Sequence, residues 1–204
     1  MQPDDLTARA RIREAAIELF ARDGVDATSM RSIAAQARVS PSLVVHHFGS
    51  KAKLRQAVDD AVLTAFEAAL ASVGTHGTAV EVSERLNLAV SGIIGGDTAV
   101  RQYLGRSLVE ATPSSQRLFE ALTDLVTDGL DALEEARLVR RGTDRTWRAY
   151  AVLFITLGPI LLSRQLDARH HTDAFEPAVV LARSTSNIDI LQHGLFTATA
   201  RPPR

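Results

Sequence analysis

The chain has 204 residues, 46% of them apolar and 23% charged, with a formal net charge of −1 and no cysteine. That length suits one large or two small domains with a well-buried core, and the composition is ordinary for a globular chain. Lacking cysteine it has no disulfide framework, thiolate metal site or cysteine nucleophile, and its first twenty residues, interrupted by Arg and Glu, lack the apolar run of a secretory signal, which points to the cytoplasm.

Taken in chain order, every segment with a clear period has the helical one and no convincing alternating strand occurs, so the expected class is all-α. The first helix is expected over about residues 7–23, with Ile12, Ala15, Ala16, Leu19 and Phe20 spaced to form one apolar stripe, and Gly24 suits the left-handed residue that stops it. Thr28 or Ser29 can cap a second helix whose inward face is Met30, Ile33, Ala34 and Ala37. After Arg38-Val39, Ser40 as N-cap and Pro41 at the first helical position start a third helix. It lasts only to about Phe48, because Gly49-Ser50 ends it and Ser50 caps the next. Two short helices joined by about three residues make a helix-turn-helix arrangement.

A fourth helix is expected over about 51–72, with Leu54, Ala57, Val58, Ala61, Val62, Ala65 and Ala69 facing inward. Gly74 and Gly77 mark a loop, and further helices follow over about 79–94, 98–111, 113–139, 143–168 and 177–195. Their breaks fall at Gly95-Gly96, Thr112-Pro113, Gly142 and Phe175-Glu176-Pro177. Residues 197–204, with Pro202-Pro203, read as a flexible tail. The longest apolar run, 150–162, is thirteen residues with Gly158 and Pro159 inside it. That is short of the roughly 20 needed to span a bilayer, so it reads as a buried helix and no membrane association is expected.

Charge is unevenly placed. Residues 1–58 hold nine Lys/Arg against six Asp/Glu, and residues 59–204 hold fourteen against eighteen. Between Asp26 and Asp59 there is no acidic residue, while Arg31, Arg38, Lys51, Lys53 and Arg55 supply five positive charges. Such a cluster alone is equally well a solvated face; next to a helix-turn-helix pattern, it suits a surface pressed on a polyanion, double-stranded DNA.

The Ala15-Ala16-x-x-Leu19-Phe20 stripe, Gly24, Thr28-Ser29, Ile33-Ala34, Ala37, Val39-Ser40 and the block His47-Phe48-Gly49-Ser50-Lys51-x-x-Leu54 occur in one ordered set. In these features residues 7 to about 58 resemble the DNA-binding domain of the tetracycline-repressor (TetR/AcrR) family of transcriptional regulators. The resemblance implies a third helix lying in the major groove, its first residues at base edges, with the ends of the second and fourth helices on phosphates. On this chain Thr28, Ser29, Ser50 and Lys51 suit phosphate oxygens. Following the Ser40 cap, Pro41, Ser42 and Leu43 are the outward first-turn residues, with Leu43 suited to a thymine methyl. Arg31 on the outer face of the second helix is the candidate for a bidentate guanine contact, and His47 matches the family's phosphate-contacting His. Two departures stand out. Arg38 occupies the usual Gly of the turn, which costs roughly 1 kcal/mol if left-handed yet adds a cation near the DNA. Val45-His46 replaces an aromatic pair, so a Tyr hydroxyl contact is lost at Val45 while His46 stands in at its own position.

Beyond about residue 51 the resemblance is architectural and implies an effector-binding and dimerisation part. The expected organisation is a helix-turn-helix domain over 1–50, a helical domain over 51–196 and the tail. The apolar stretches 149–162 and 178–195 suit a homodimer, because a helix apolar nearly all round needs burial on more than one side. A two-fold dimer presents two recognition helices to a palindromic operator with half-sites one turn, roughly 34 Å, apart. Gln102, Tyr103, Arg106, Glu110, Trp147, Tyr150, Thr156 and Arg164 are polar or aromatic positions within apolar helices. Tyr103, Arg106, Trp147 and Tyr150 are the foremost small-molecule contacts, and an apolar or amphipathic effector is expected. Its binding is expected to move the fourth helix and so change the spacing of the recognition helices.

An enzyme is not expected: there is no Gly-x-Ser-x-Gly elbow, phosphate loop or His-Glu-x-x-His. No cofactor is implied, and no metal. Helical neighbours such as His46 and His47 point about 100° apart, and His170-His171, between Asp167 and Asp173, reads as a solvated helix end. The expected function is a dimeric repressor released from its operator by a small molecule. The alternative is a helical dimer or scaffold protein with weak or vestigial DNA binding, given the modest base-reading set Pro41-Ser42-Leu43.

Overall fold

The computed structural model describes residues 3–142 and 144–193. They form α1 (Pro3–Asp23), α2 (Met30–Gln36), α3 (Pro41–Phe48), α4 (Lys51–Val73), α5 (Ala79–Gly96), α6 (Thr98–Val109), α7 (Pro113–Glu135), α8 (Arg145–Leu161), α9 (Ser163–His170) and α10 (Pro177–His193). No strand occurs among the described residues. The predicted stripe of α1 is its buried face: Ile12, Ala15, Ala16, Leu19 and Phe20 are all closed to solvent. That face receives α2, α3 and α4, while α1 also packs broadly on α6. One hydrophobic core therefore runs from Ile12 through Val44, Leu54, Tyr103, Leu118 and Leu153 to Phe175.

The helices begin where short polar residues announce them. Ser29, Ser40, Ser50, Thr78, Thr112 and Asp144 each accept a backbone N–H of the following turn with the side-chain oxygen. Asp167 and Asp173, the carboxylates beside His170-His171, accept from the backbone N–H of Ala174 (2.6 Å) and Phe175 (2.8 Å), so they shape the α9–α10 turn.

Four expectations change. The buried side of α4 is Leu54, Val58, Val62, Phe66 and Val73 together with Arg55 and Asp59, whereas Ala65 is exposed and Ala61 and Ala69 are half-buried. Phe66 offers far more apolar surface than its alanine neighbours, and burying it turns the helix that way. Helix α7 stops at Glu135 instead of running to 139, because Arg137 turns left-handed (φ 59°) and the N–H of Leu138 bonds back to Leu133. This is the Schellman ending that the sequence disguises by lacking glycine. The single helix expected over 143–168 is two, α8 and α9, meeting at 64°. Pro159 removes one N–H from the helical ladder beside the weak helix former Gly158, and Leu162 leaves helical geometry one turn later (φ −107°, ψ 17°). Nor is the run 150–162 buried throughout, since Phe154, Leu161 and Leu162 are exposed.

Helix α10 packs on α5 through polar contacts, Gln192 donating to Ser83 (2.9 Å) and Ser91 meeting Ser184 (3.3 Å). Its expected end at 195 and the tail lie outside the described residues. No single described helix is long and apolar enough to cross a membrane; α8 and α9 reach that length only jointly, across their bend.

Candidate nucleic-acid interface

The turn between α2 and α3 is built from its backbone outward. Ser29 and Ser32 form a reciprocal capping box, each side chain accepting the other's N–H (3.0 and 3.1 Å). At the other end of α2, Arg38 is left-handed (φ 55°), its N–H bonds to Ala35 and that of Val39 to Ala34. Arg38 thus occupies the glycine position of a Schellman motif, and its exposed side chain leaves the turn toward solvent. Ser40 then caps α3 by accepting from Leu43 N–H (3.2 Å), and its hydroxyl lies 2.9 Å from that of Ser42.

On α3, Val44 and Phe48 face the core, while Pro41, Ser42, Val45 and His46 are exposed. Leu43 and His47 are half-buried. The apolar residue offered outward is therefore Val45, 50% exposed, at the centre of the free face. Residues 42, 45 and 46 share this face, whereas Leu43, the residue expected to make the methyl contact, turns partly toward the core. Ser29, Arg31, Ser40 and Ser50 are exposed as expected.

Three other expectations are redirected. Thr28 is 3% exposed, and its hydroxyl donates to the carbonyl of Gly24 (2.7 Å), so it pins the α1–α2 loop and offers nothing to a phosphate. Lys51 is half-buried, its ammonium donating to the carbonyls of Val25 (2.8 Å), Asp26 (3.1 Å) and Thr28 (3.0 Å). An ammonium has three protons, and these three bonds occupy them. Arg55, counted among the basic residues of the acid-free stretch, is 7% exposed and donates to Glu110 (3.1 Å) and Ser115 (3.5 Å), away from the outer face. Lys53, counted among the five cations and assigned no contact of its own, is exposed in the first turn of α4. Helical phase separates the two groups: Lys51, Arg55 and Asp59 lie one turn apart on the core side, and Lys53 does not.

Behind this face lies a polar junction. The Tyr103 hydroxyl donates to Asp59 at 2.5 Å, and the Tyr103 ring lies 6.3 Å from that of Phe20. Burial is the main cause that raises the Asp59 carboxyl above its ordinary range, with the Asp60 charge adding to it, while the Tyr103 hydrogen bond and the nearby Arg55 charge act the other way. Burial and the Asp59 charge push the Tyr103 phenol up as well, so it remains a donor. Arg106 donates to the carbonyl of Arg22 at 3.2 Å.

The four small-molecule candidates do not converge. Tyr103 is enclosed in the core and Arg106 reaches the end of α1, while Trp147, 64% exposed, starts an aromatic ladder with Tyr150, Phe154 and Phe119, of which Tyr150 and Phe119 are half-buried against the core and Phe154 is exposed. A separate cavity of about 50 Å³ lies between α5, α8 and α10, lined by Asn87, Ser91, Thr156, Arg183, Ser184 and Asn187 among others. Ligand sites usually measure roughly 300–1,000 Å³, so an organic effector enters there only if the helices part.

Residues 12–58 match the family described as bacterial regulatory proteins, tetR family. Over 167 residues the chain is 35% identical to the HTH-type transcriptional regulatory protein RaaS of Mycobacterium tuberculosis, an alignment covering 81% of this chain and 76% of that one. The chain belongs to the TetR family. Its fold agrees: FadR of Bacillus subtilis, solved with stearoyl-CoA, superposes with a TM-score of 0.73 at 17% identity, covering 92% of this chain and 99% of that one. FadR of Thermus thermophilus, a TetR family repressor solved with lauroyl-CoA, gives 0.62 at 21% identity over 96% and 99%. This TetR family protein is thus a DNA-binding transcriptional regulator with an N-terminal helix-turn-helix unit and a helical C-terminal part, and every candidate DNA contact from Thr28 to Lys51 falls inside the matched segment.

Proposed function

We propose that the protein is a dimeric repressor that reads a palindromic operator through α3 and leaves it when a small molecule binds among the C-terminal helices. Residues 1–50 form the reading unit in this scheme and residues 51–196 the regulatory one. The observation that carries the proposal is the exposed side of the acid-free stretch 27–58: Arg31, Arg38 and Lys53 flank an α3 that offers Ser42, Val45 and His46 to a groove. Arg31 is the base reader, suited to guanine. Arg38 and Lys53, with the exposed Ser29, Ser40, Ser50 and the α4 N-terminus, hold phosphates. Val45 supplies a methyl contact. His47, half-buried, keeps a place at the phosphate side.

Selection of binding sites from random double-stranded DNA tests this reading. An inverted repeat with half-sites about one turn apart is expected, with affinity falling steeply as salt rises. Arg31→Ala should relax the preference at one position, whereas Lys53→Ala should weaken all sequences alike. No enriched sequence, or identical behaviour of the two variants, contradicts the assigned roles. For the effector, an amphipathic acyl compound is the first class to try, because the two FadR proteins of like fold were solved with acyl-CoA molecules and Phe119, Trp147, Tyr150 and Phe154 offer a continuous aromatic surface. Stearoyl-CoA should weaken operator binding in a titration; unchanged affinity at saturating concentration removes that class.

A further inference from the structure

The loop that leads into α2 is held from two sides, by two different helices. On α4, Lys51, Arg55 and Asp59 stand at i, i+4 and i+8, one stripe of one helix. Lys51 grips the loop carbonyls of Val25, Asp26 and Thr28. One turn on, Arg55 donates to Glu110 of the α6 C-cap at 3.1 Å, and a further turn on Asp59 accepts from Tyr103 of α6 at 2.5 Å. On α6 itself Arg106 stands between those two partners and reaches back to the last turn of α1, just before the same loop, donating to the Arg22 carbonyl. Gly24 leaves room for it: a Cβ there would lie 2.7 Å from Arg106 Nη1, and the residue is left-handed at φ +89°. Residues 22–28 are thus clasped by α4 through Lys51 and by α6 through Arg106, and two polar pairs fix how α4 lies on α6.

The chemistry of those pairs matters. An apolar contact tolerates sliding, because dispersion and burial change gradually with displacement. A short hydrogen bond to a buried carboxylate does not, since a small shift leaves Asp59 without its donor in a site where its charge is poorly solvated. Such a ladder therefore prefers discrete arrangements over a continuous range.

We propose that Tyr103 and Glu110 are positioning residues which, through Asp59, Arg55 and the clasped segment 22–28, the end of α1 and the loop after it, set the separation of the two recognition helices in the dimer. Neither residue meets DNA; they act by fixing the angle between α6 and the reading unit. The inference rests on the dimeric reading above. A displacement of α6 then moves the loop through Arg106 while Lys51 holds it to α4, and α2 and α3 follow.

The test separates half-site sequence from half-site spacing. Site selection from random DNA is run with the full-length protein, Tyr103→Phe and Glu110→Gln. The first removes one hydroxyl and keeps the ring against Phe20; the second, at a partly exposed site, decides the matter if the first does not fold. Expected are an unchanged half-site sequence, a shifted or broadened spacing, and at least about a fivefold change in affinity for the wild-type palindrome, the low end of ordinary coupling between sites, with affinity for an isolated half-site unchanged. Folded variants that keep the wild-type spacing and palindrome affinity, even with a lower Tm, overturn the proposal, for the pairs are then structural only. Wild-type protein that selects isolated half-sites and no inverted repeat overturns the dimeric reading, and this inference with it.

Discussion

Asp59 is a side chain whose surroundings oppose its own charge. Its carboxyl is raised above the ordinary range, burial being the largest cause and the Asp60 charge adding to it, against the lowering by Tyr103 and Arg55. A carboxylate raised in the folded state contributes stability that is fully present below its unfolded pKa and is lost as pH climbs through the folded one. At neutral pH, then, ionised Asp59 is a cost the fold carries. Asp59→Asn keeps an acceptor for the Tyr103 hydroxyl and removes the ionisation. The variant should melt at or above wild type at pH 8, with its advantage shrinking as pH falls toward 4. Melting curves across that range decide, and a variant that melts lower by a constant amount at every pH shows that charge on Asp59 was favourable after all. Little of this was legible in the chain. Arg55 counts as one more cation in an acid-free run until the 51, 55, 59 phase is set beside Leu54 and Val58, and even then no residue type discloses Glu110 as its partner, 55 positions away.

Elements were easier to read than side chains, because helix starts are chemical events. Ser29, Ser40 and Ser50 were visible as caps for the reason that makes them caps, a short side-chain oxygen within reach of an orphan N–H. Endings written without glycine were hidden, as Arg137 closing α7 and Leu162 parting α8 from α9 demonstrate. The turn between α2 and α3 joins a glycine-free ending, which the family resemblance made readable at Arg38, to a capped start at Ser40, which gives a prediction of opposite signs. Ser40→Ala should cost about 1 kcal/mol, the usual value of an N-cap, whereas Arg38→Gly should recover about 1 kcal/mol of left-handed strain, less glycine's extra entropy in the unfolded chain. Urea unfolding measures both. DNA binding should fall in each: in the first because an eight-residue helix does not persist without its start, in the second because a cation is gone. Arg38→Gly protein that is no more stable, or binds DNA as tightly as wild type, removes the idea that the turn holds strain for the sake of a contact.

At the scale of the whole molecule, the C-terminal surface is more apolar than a lone chain needs. Phe154, Leu161 and Leu162 at the end of α8, and Leu181 and Leu191 on α10, are exposed. Both helices line the same cavity with α5, so their outer faces are neighbours. Helix α10 even turns polar groups inward, Gln192 to Ser83 and Ser184 to Ser91, while Leu181 remains 62% exposed. A helix that meets its own domain through Val180 and a set of hydroxyls and amides, with leucines outward, is arranged for a second surface, and a second copy supplies one by two-fold symmetry. Each Leu or Phe so covered contributes roughly 1.5–3 kcal/mol, so a few residues per subunit suffice for a stable pair. A charge placed there costs about 3 kcal/mol or more if left uncompensated, and symmetry introduces two. Leu181→Glu should therefore be monomeric in sedimentation at concentrations where wild type is dimeric, yet folded, because the position is exposed in the single chain. Its affinity for a single half-site should equal that of the wild-type subunit, and its affinity for the palindrome should collapse to the same value. Were Leu181→Glu and Phe154→Glu both to sediment as wild type, the second copy would have to sit elsewhere, and α3 would meet DNA in a different geometry.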